Sequence, residues 1–160
     1  MKQNLVTSVL THVLKSLYPD CDNISAVGET TLEKMGLVSD DITVLSTFFG
    51  HCCPLEFFSG RSNLCLEVAD NAVICNVYFG NRCTDPELAT EYADRYMNTR
   101  WGRIWSIDDE FDPYTGMTLT TSFSAFDEKE LRENLTERLS LFDDDRFSNE
   151  LRPFIHYFEN

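Results

Sequence analysis

Met117-Thr118-Leu119-Thr120-Thr121-Ser122-Phe123-Ser124-Ala125-Phe126-Asp127-Glu128-Lys129-Glu130-Leu131 is the stretch on which the fold turns. Up to Ala125 the chain alternates. Met117, Leu119, Thr121, Phe123 and Ala125 face one way, and Thr118, Thr120, Ser122 and Ser124 the other. A period of two predicts an antiparallel strand with one face in the core and one open. At Asp127 the period changes. Asp127 is placed to cap a helix and Glu130 to complete a capping box. Leu131, Leu135, Leu139 and Phe142 then follow at i, i+4, i+8 and i+11, one face of a helix.

The segments upstream repeat this alternation of strand and helix. Leu64–Val68 and Ala72–Phe79 read as a hairpin with Asp70-Asn71 in the turn. The second arm is apolar on both faces at its start, which predicts a central strand covered by a helix. Thr84-Asp85-Pro86-Glu87 predicts a helix start, with Thr84 as the cap, Glu87 three residues later and Pro86 in the first turn. Leu88, Tyr92, Ala93, Tyr96 and Met97 mark its inner face, and Trp101-Gly102 is read as its end. Arg103–Ile107 is read as a strand. At the front, Leu5, Val6, Val9, Leu10, Val13, Leu14 and Leu17 form a helical stripe over Gln3–Tyr18 that Pro19 ends. Ile42–Phe49 and Leu55–Phe58 read as further strands. A last short helical piece carries Phe147 and Leu151 before Pro153, and the tail Phe154-Ile155-His156-Tyr157-Phe158 is apolar. With no linker, repeat or low-complexity tract, residues 1–160 are read as a single two-layer α+β domain, an antiparallel β-sheet packed with helices.

The bulk numbers narrow the function. In 160 residues, 42% hydrophobic content and twelve Phe supply a core. Lys and Arg number 13 against 27 Asp and Glu, a formal charge of −14. That charge opposes direct binding to nucleic acid and to an anionic membrane surface. It suits a protein partner with a basic surface. No run of residues is apolar for long enough to span a bilayer. The N-terminal residues lack a signal-peptide pattern, so a cytoplasmic location is expected. The six Cys are accordingly expected as free thiols.

The order helix, β-rich block, helix, strand, strand, helix resembles the YbjN family, which has the type III secretion chaperone-like fold. The resemblance runs from Ala93 to Phe154. Ala93-Asp94-Arg95-Tyr96-Met97-Asn98 is similar to the family's helix ending in an aromatic residue and an Asn. Gly102-Arg103-Ile104-Trp105 looks like the strand that follows, and Met117-Thr118-Leu119-Thr120-Thr121-Ser122-Phe123 like its partner. Glu130-Leu131 through Leu141-Phe142, with Phe147 and Leu151, is similar to the closing helix and its extension. The front third departs from the pattern at His51-Cys52-Cys53. The resemblance implies a non-enzymatic role in binding another protein, as a chaperone, adaptor or toxin-immunity protein.

Catalytic and metal chemistry find little support. His51-Cys52-Cys53 is the one local cluster of soft ligands, and adjacent Cys residues do not readily share a metal. Asp108-Asp109-Glu110-Phe111-Asp112 lacks the spacing and the sixth-position Gly of a calcium loop. No phosphate loop, nucleophile elbow or zinc-protease motif occurs. No cofactor, metal or catalytic residue is therefore assigned. The binding candidates are Trp101 and Trp105, as aromatic anchors, and the acidic loop Asp108, Asp109, Glu110 and Asp112. The alternatives are a nucleic-acid mimic that inhibits a DNA-binding protein, marked by a row of carboxylates at phosphate-like spacing, and a small Cys/His metal protein or enzyme. A homodimer is left open.

Overall fold

The hairpin centred on Asp70-Asn71 builds the middle of the sheet. In the computed structural model, which describes residues 3–18, 42–48, 62–79, 85–107 and 117–156, its arms are β2 (Ser62–Ala69) and β3 (Ala72–Phe79). The two-residue turn holds Asp70 at φ 54, the left-handed region that Asp tolerates better than most residues. β1 (Ile42–Phe48) adds on the outside of β2, and β5 (Met117–Ser124) on the outside of β3. The two-residue β4 (Ser106–Ile107) closes the order β1-β2-β3-β5-β4, every pair antiparallel. β3 is the central strand that its apolar composition predicts.

Register sorts the two faces. Leu64 lies opposite Val77, and Val77 opposite Leu119. The next row in is Leu66, Cys75 and Thr121, and the next begins with Val68 and Val73. All of these are buried. On the other face Ala69, Ala72, Ile74, Ser122 and Ser124 are exposed, and Cys65, Glu67, Asn76, Thr118 and Thr120 are half-buried. The alternation in β5 is therefore realised. Cys65 and Cys75 are free thiols, and burial raises the pKa of both, so neither is a ready nucleophile.

Helices cover the buried face. α1 (Gln3–Leu17) contributes Val6, Val9, Leu10, Val13 and Leu14, each at most 1% exposed. Each such side chain is worth roughly 1.5–3 kcal/mol of burial as an upper figure. α4 (Glu128–Ser140) contributes Leu131, Leu135 and Leu139, and the Tyr18 hydroxyl ties the two helices by donating to the Leu139 carbonyl at 3.1 Å. The start of α4 is as read. The Glu130 N–H donates to Asp127 Oδ1 at 2.8 Å. Glu130 in turn accepts from the Phe126 N–H, one residue before the cap.

Three readings need correction between the hairpin and β5 and beyond it. α2 (Pro86–Met97) starts one residue later than read: Asp85 is the cap and accepts from the Leu88 N–H at 3.2 Å. An Asp in extended conformation directly before Pro outcompetes Thr84 for that role. Next, Arg103–Ile107 is not a strand throughout. Thr99 caps a separate short helix, α3 (Arg100–Ile104), and only Ser106 and Ile107 pair with β5. Trp101 and Gly102, read as the end of one helix, are the second and third residues of another. Finally, a 3-10 turn (Leu141–Asp143) leads into α5 (Asp145–His156), which continues through Pro153. That proline cannot donate to the Asn149 carbonyl, so the helix runs on with one bond missing. Leu55–Phe58, the acidic loop 108–112, His51-Cys52-Cys53 and the tail beyond His156 lie outside the described residues.

α5 is capped by Asp144, whose Oδ1 accepts from the N–H groups of Arg146 (2.8 Å) and Phe147 (3.4 Å). Partial desolvation pushes this carboxyl up, but those two bonds and the Arg146 guanidinium outweigh it and hold it below its ordinary value. A depressed carboxyl stabilises the fold above its unfolded pKa, and that contribution is lost as pH falls through the folded value. Asp144→Asn is expected to flatten the acid limb of a stability-versus-pH curve below about pH 4, read by urea midpoints. A limb identical to wild type would contradict this.

Gly102 marks a close approach of α3 to the end of α2. A Cβ there would lie 2.6 Å from the Tyr96 carbonyl oxygen and 2.7 Å from Met97 Cα, both backbone. Gly102→Ala is expected to cost about 1–3 kcal/mol in urea unfolding, and a neutral effect would show that α3 does not sit against the end of α2 as described.

Candidate protein-binding surface

The two tryptophans fall in one aromatic knot beneath α2 and α3. Trp105 is 0% and Trp101 7% exposed. Their rings close a chain with α5 and the turn before it: Trp105 to Phe142 at 5.1 Å, Phe142 to Phe147 at 5.3 Å, and Phe147 to Trp101 at 5.5 Å between centroids. Edge and tilted geometries at these distances are the favoured ones. The polar handles are also used. Trp105 Nε1–H donates to the Arg138 carbonyl at 3.0 Å. The buried Tyr96 hydroxyl donates to the Trp105 carbonyl at 2.6 Å, and lies 3.4 Å from the Trp101 carbonyl, which already accepts from the Trp105 N–H. One hydroxyl proton serves one acceptor well, and the shorter contact takes it. Burial raises the Tyr96 pKa far above its ordinary value, with Glu150 adding to the effect, so it stays a donor.

This placement removes Trp101 and Trp105 from the binding candidates. Both are packing residues, and one face of Trp101 lies under the Arg100 guanidinium at 4.2 Å. Asp108, Asp109, Glu110 and Asp112 follow β4 directly, outside the described residues.

Another acidic surface emerges next to the knot. On α2, Ala89, Ala93 and Tyr96 face inward. Opposite them Glu87, Glu91, Asp94 and Asn98 are exposed along the crest at steps of four, three and four residues. Leu88 (39% exposed) and Met97 (40%) flank this crest on either side. Glu87 and Glu91 repel at i,i+4, and Asp94 stands toward the negative end of the helix dipole. No cation of the described residues forms an ion pair with any of the three. Arg95, the basic residue of α2, lies over the Tyr92 ring instead, at 5.0 Å. α4 handles its charge differently: Lys129 pairs with Glu133, and Arg132 with Glu128 at 2.8 Å. The shallow depression along Asp127, Glu128, Lys129, Arg132 and Glu133 is lined by these self-paired charges.

Polar chemistry elsewhere is structural. Arg138 donates from Nε to Thr121 Oγ1 and from a terminal nitrogen to Asn134 Oδ1, both at 2.9 Å, and lies over the Phe123 ring. Burial lowers its pKa, against the opposing pull of Glu137 and Cys75. Its bonds are those of a side chain that seals the rim of the core. Among the described residues no three His, Cys, Asp or Glu gather as a metal site would require. No helix of the described residues is long and apolar enough to cross a membrane. A scan against protein-family models, a search of curated proteins and a search of solved structures each found no match.

The acidic crest was readable as spacing in the sequence, since 87, 91, 94 and 98 recur at helical intervals. What hid it was the absence of a signal that its charges would go unpaired while those of α4 would not. The knot beneath it predicts that Tyr96→Phe, by stranding the buried Trp105 carbonyl, costs about 1–3 kcal/mol. Urea unfolding followed by the fluorescence of the two tryptophans measures this. A loss below about 0.5 kcal/mol would mean that the bond is not formed.

Proposed function

We propose that this chain is a non-enzymatic, acidic protein-binding module of the chaperone, adaptor or toxin-immunity type, acting in the cytoplasm on a partner with a basic surface. The observation that carries it is the crest of Glu87, Glu91 and Asp94, with which no cation among the described residues pairs, set between exposed Leu88 and Met97. A helix that retains like-charge repulsion on its exposed face gains when a cationic surface docks there. The flanking apolar side chains add burial that charge alone lacks. The net charge of −14 extends the attraction to long range, and Asp108, Asp109, Glu110 and Asp112 follow in sequence within five residues of the end of β4. The described elements run helix, three strands, two helices, two strands, helices, and Gly102-Arg103-Ile104-Trp105, likened above to a strand of the YbjN family, lies in the short helix α3 and at its cap.

Nucleic-acid mimicry is the weaker reading. Along α2 the row has three carboxylates over roughly 10 Å of axis, short of the roughly 6–10 phosphates that a DNA-binding protein contacts.

The test is capture of partners on the immobilised protein, followed by association kinetics of the recovered partner. Glu87→Gln, Glu91→Gln and Asp94→Asn together are expected to slow association about tenfold at low salt and to matter little at high salt. Neutralising Asp108, Asp109, Glu110 and Asp112 in a separate variant apportions the effect between helix and loop. Association unchanged in both variants at low salt would refute the reading. So would recovery of a partner without basic surface.

A further inference from the structure

The sheet has two edges, and they are built differently. β4, at one end, pairs through two residues, short enough to offer little to another strand. β1, at the other, runs for seven residues, Ile42-Thr43-Val44-Leu45-Ser46-Thr47-Phe48, and pairs without interruption from Ile42 opposite Ala69 to Phe48 opposite Asn63. Among the described residues no strand lies on its outer side. It contains no charge, no Pro, no Gly and no bulge, which are the usual devices that protect an edge. Its β-branched and aromatic residues favour further pairing.

We propose that β1 is a self-association edge: two copies of this chain pair their β1 strands antiparallel about a twofold axis at Leu45, joining two five-stranded sheets into one. The sequence is complementary to itself in that register. Leu45 meets Leu45, Thr43 meets Thr47, Val44 meets Ser46, and Ile42 meets Phe48. Thr–Thr and apolar pairs are the favourable cross-strand combinations, and no like charges oppose. The ladder closes whichever alternate set of β1 amides faces away from β2. If residues 43, 45 and 47 face outward, the pairs 43–47 and 45–45 exchange bonds. If residues 42, 44, 46 and 48 do, the pairs 42–48 and 44–46 exchange them. Two copies of a chain carrying −14 repel in most orientations, and a seven-residue neutral strand is a place where they can approach. The twofold makes the contact isologous and finite, so one neutral edge yields a dimer and not a fibre. The inference is independent of the acidic crest of α2.

Sedimentation of the full chain over a concentration series tests it. The expected result is a mass rising with concentration from 18.4 kDa toward twice that value. Val44→Lys with Ser46→Lys sets like charges opposite each other across the twofold, while within the chain position 44 faces Glu67. The double variant is expected to weaken the dimer by at least about tenfold, with an unchanged far-ultraviolet circular dichroism spectrum. Hydrogen exchange of the wild-type protein at two concentrations gives a reading that needs no variant: alternate β1 amides gain protection as concentration rises. A wild-type monomer at every concentration would overturn the proposal. A dimer that persists in the folded double variant, or β1 protection that ignores concentration, would overturn it too.

Discussion

The hydrogen bond from the buried Tyr96 hydroxyl to the Trp105 carbonyl is the constraint on which the second half of the fold depends. Between Met97 and Ser106 the chain leaves one helix, makes another of five residues and enters a strand of two. None of these short pieces is stable alone, because helix nucleation is costly and a two-residue strand has little ladder. Tyr96 reaches from the last turn of α2 over this passage and fixes its far end. Trp105 then carries the constraint onward. Its indole N–H holds the Arg138 carbonyl of α4, and its ring packs on Phe142 ahead of α5. One residue pair thereby sets α2, α3, β4 and α4 relative to each other. Gly102 allows the close approach that the geometry requires, since a Cβ would collide with the end of α2.

Much of this was legible in the sequence where local rules and tertiary packing agree. The strand from Met117, the cap at Asp127, the leucines at 131, 135 and 139 and the stripe of α1 are all periodic, and each period survives in the burial pattern. The passage from Thr99 to Trp105 was not legible. Its residues carry no period, and its shape is imposed by a side chain nine residues away from the carbonyl that it binds. Two tryptophans near an acidic stretch looked like interface anchors for the same reason that they make good core residues: each has a large ring and a single polar handle. Only the burial of both rings, and for Trp105 the bond from its indole N–H to the Arg138 carbonyl, show that they are turned inward. The proposed docking surface was half legible. The total charge pointed to a basic partner, but the contrast between the self-paired charges of α4 and the unpaired ones of α2 is a property of side-chain geometry.

The same contrast separates two parts of the described surface. An acidic, unpaired helix face and a neutral strand edge lie on different elements of one sheet-and-helix framework. In the proposed reading, long-range attraction to a partner and self-association make opposite demands on charge, and they are assigned to separate places. The rigid aromatic knot behind α2 serves the first: a helix held from beneath can present its carboxylates in a fixed row, which lowers the ordering cost of docking.

The most direct measurement of the central claim is the exchange rate of the Trp105 indole Nε1 proton. If Trp105 ties α2, α3 and α4 together, that proton exchanges only when the whole fold opens. Its rate then matches the slowest backbone amides of β3 and responds to denaturant with the same slope. A Trp105 indole proton that exchanges orders of magnitude faster than the β3 amides, with little dependence on denaturant, would show that the knot opens locally and does not hold the fold.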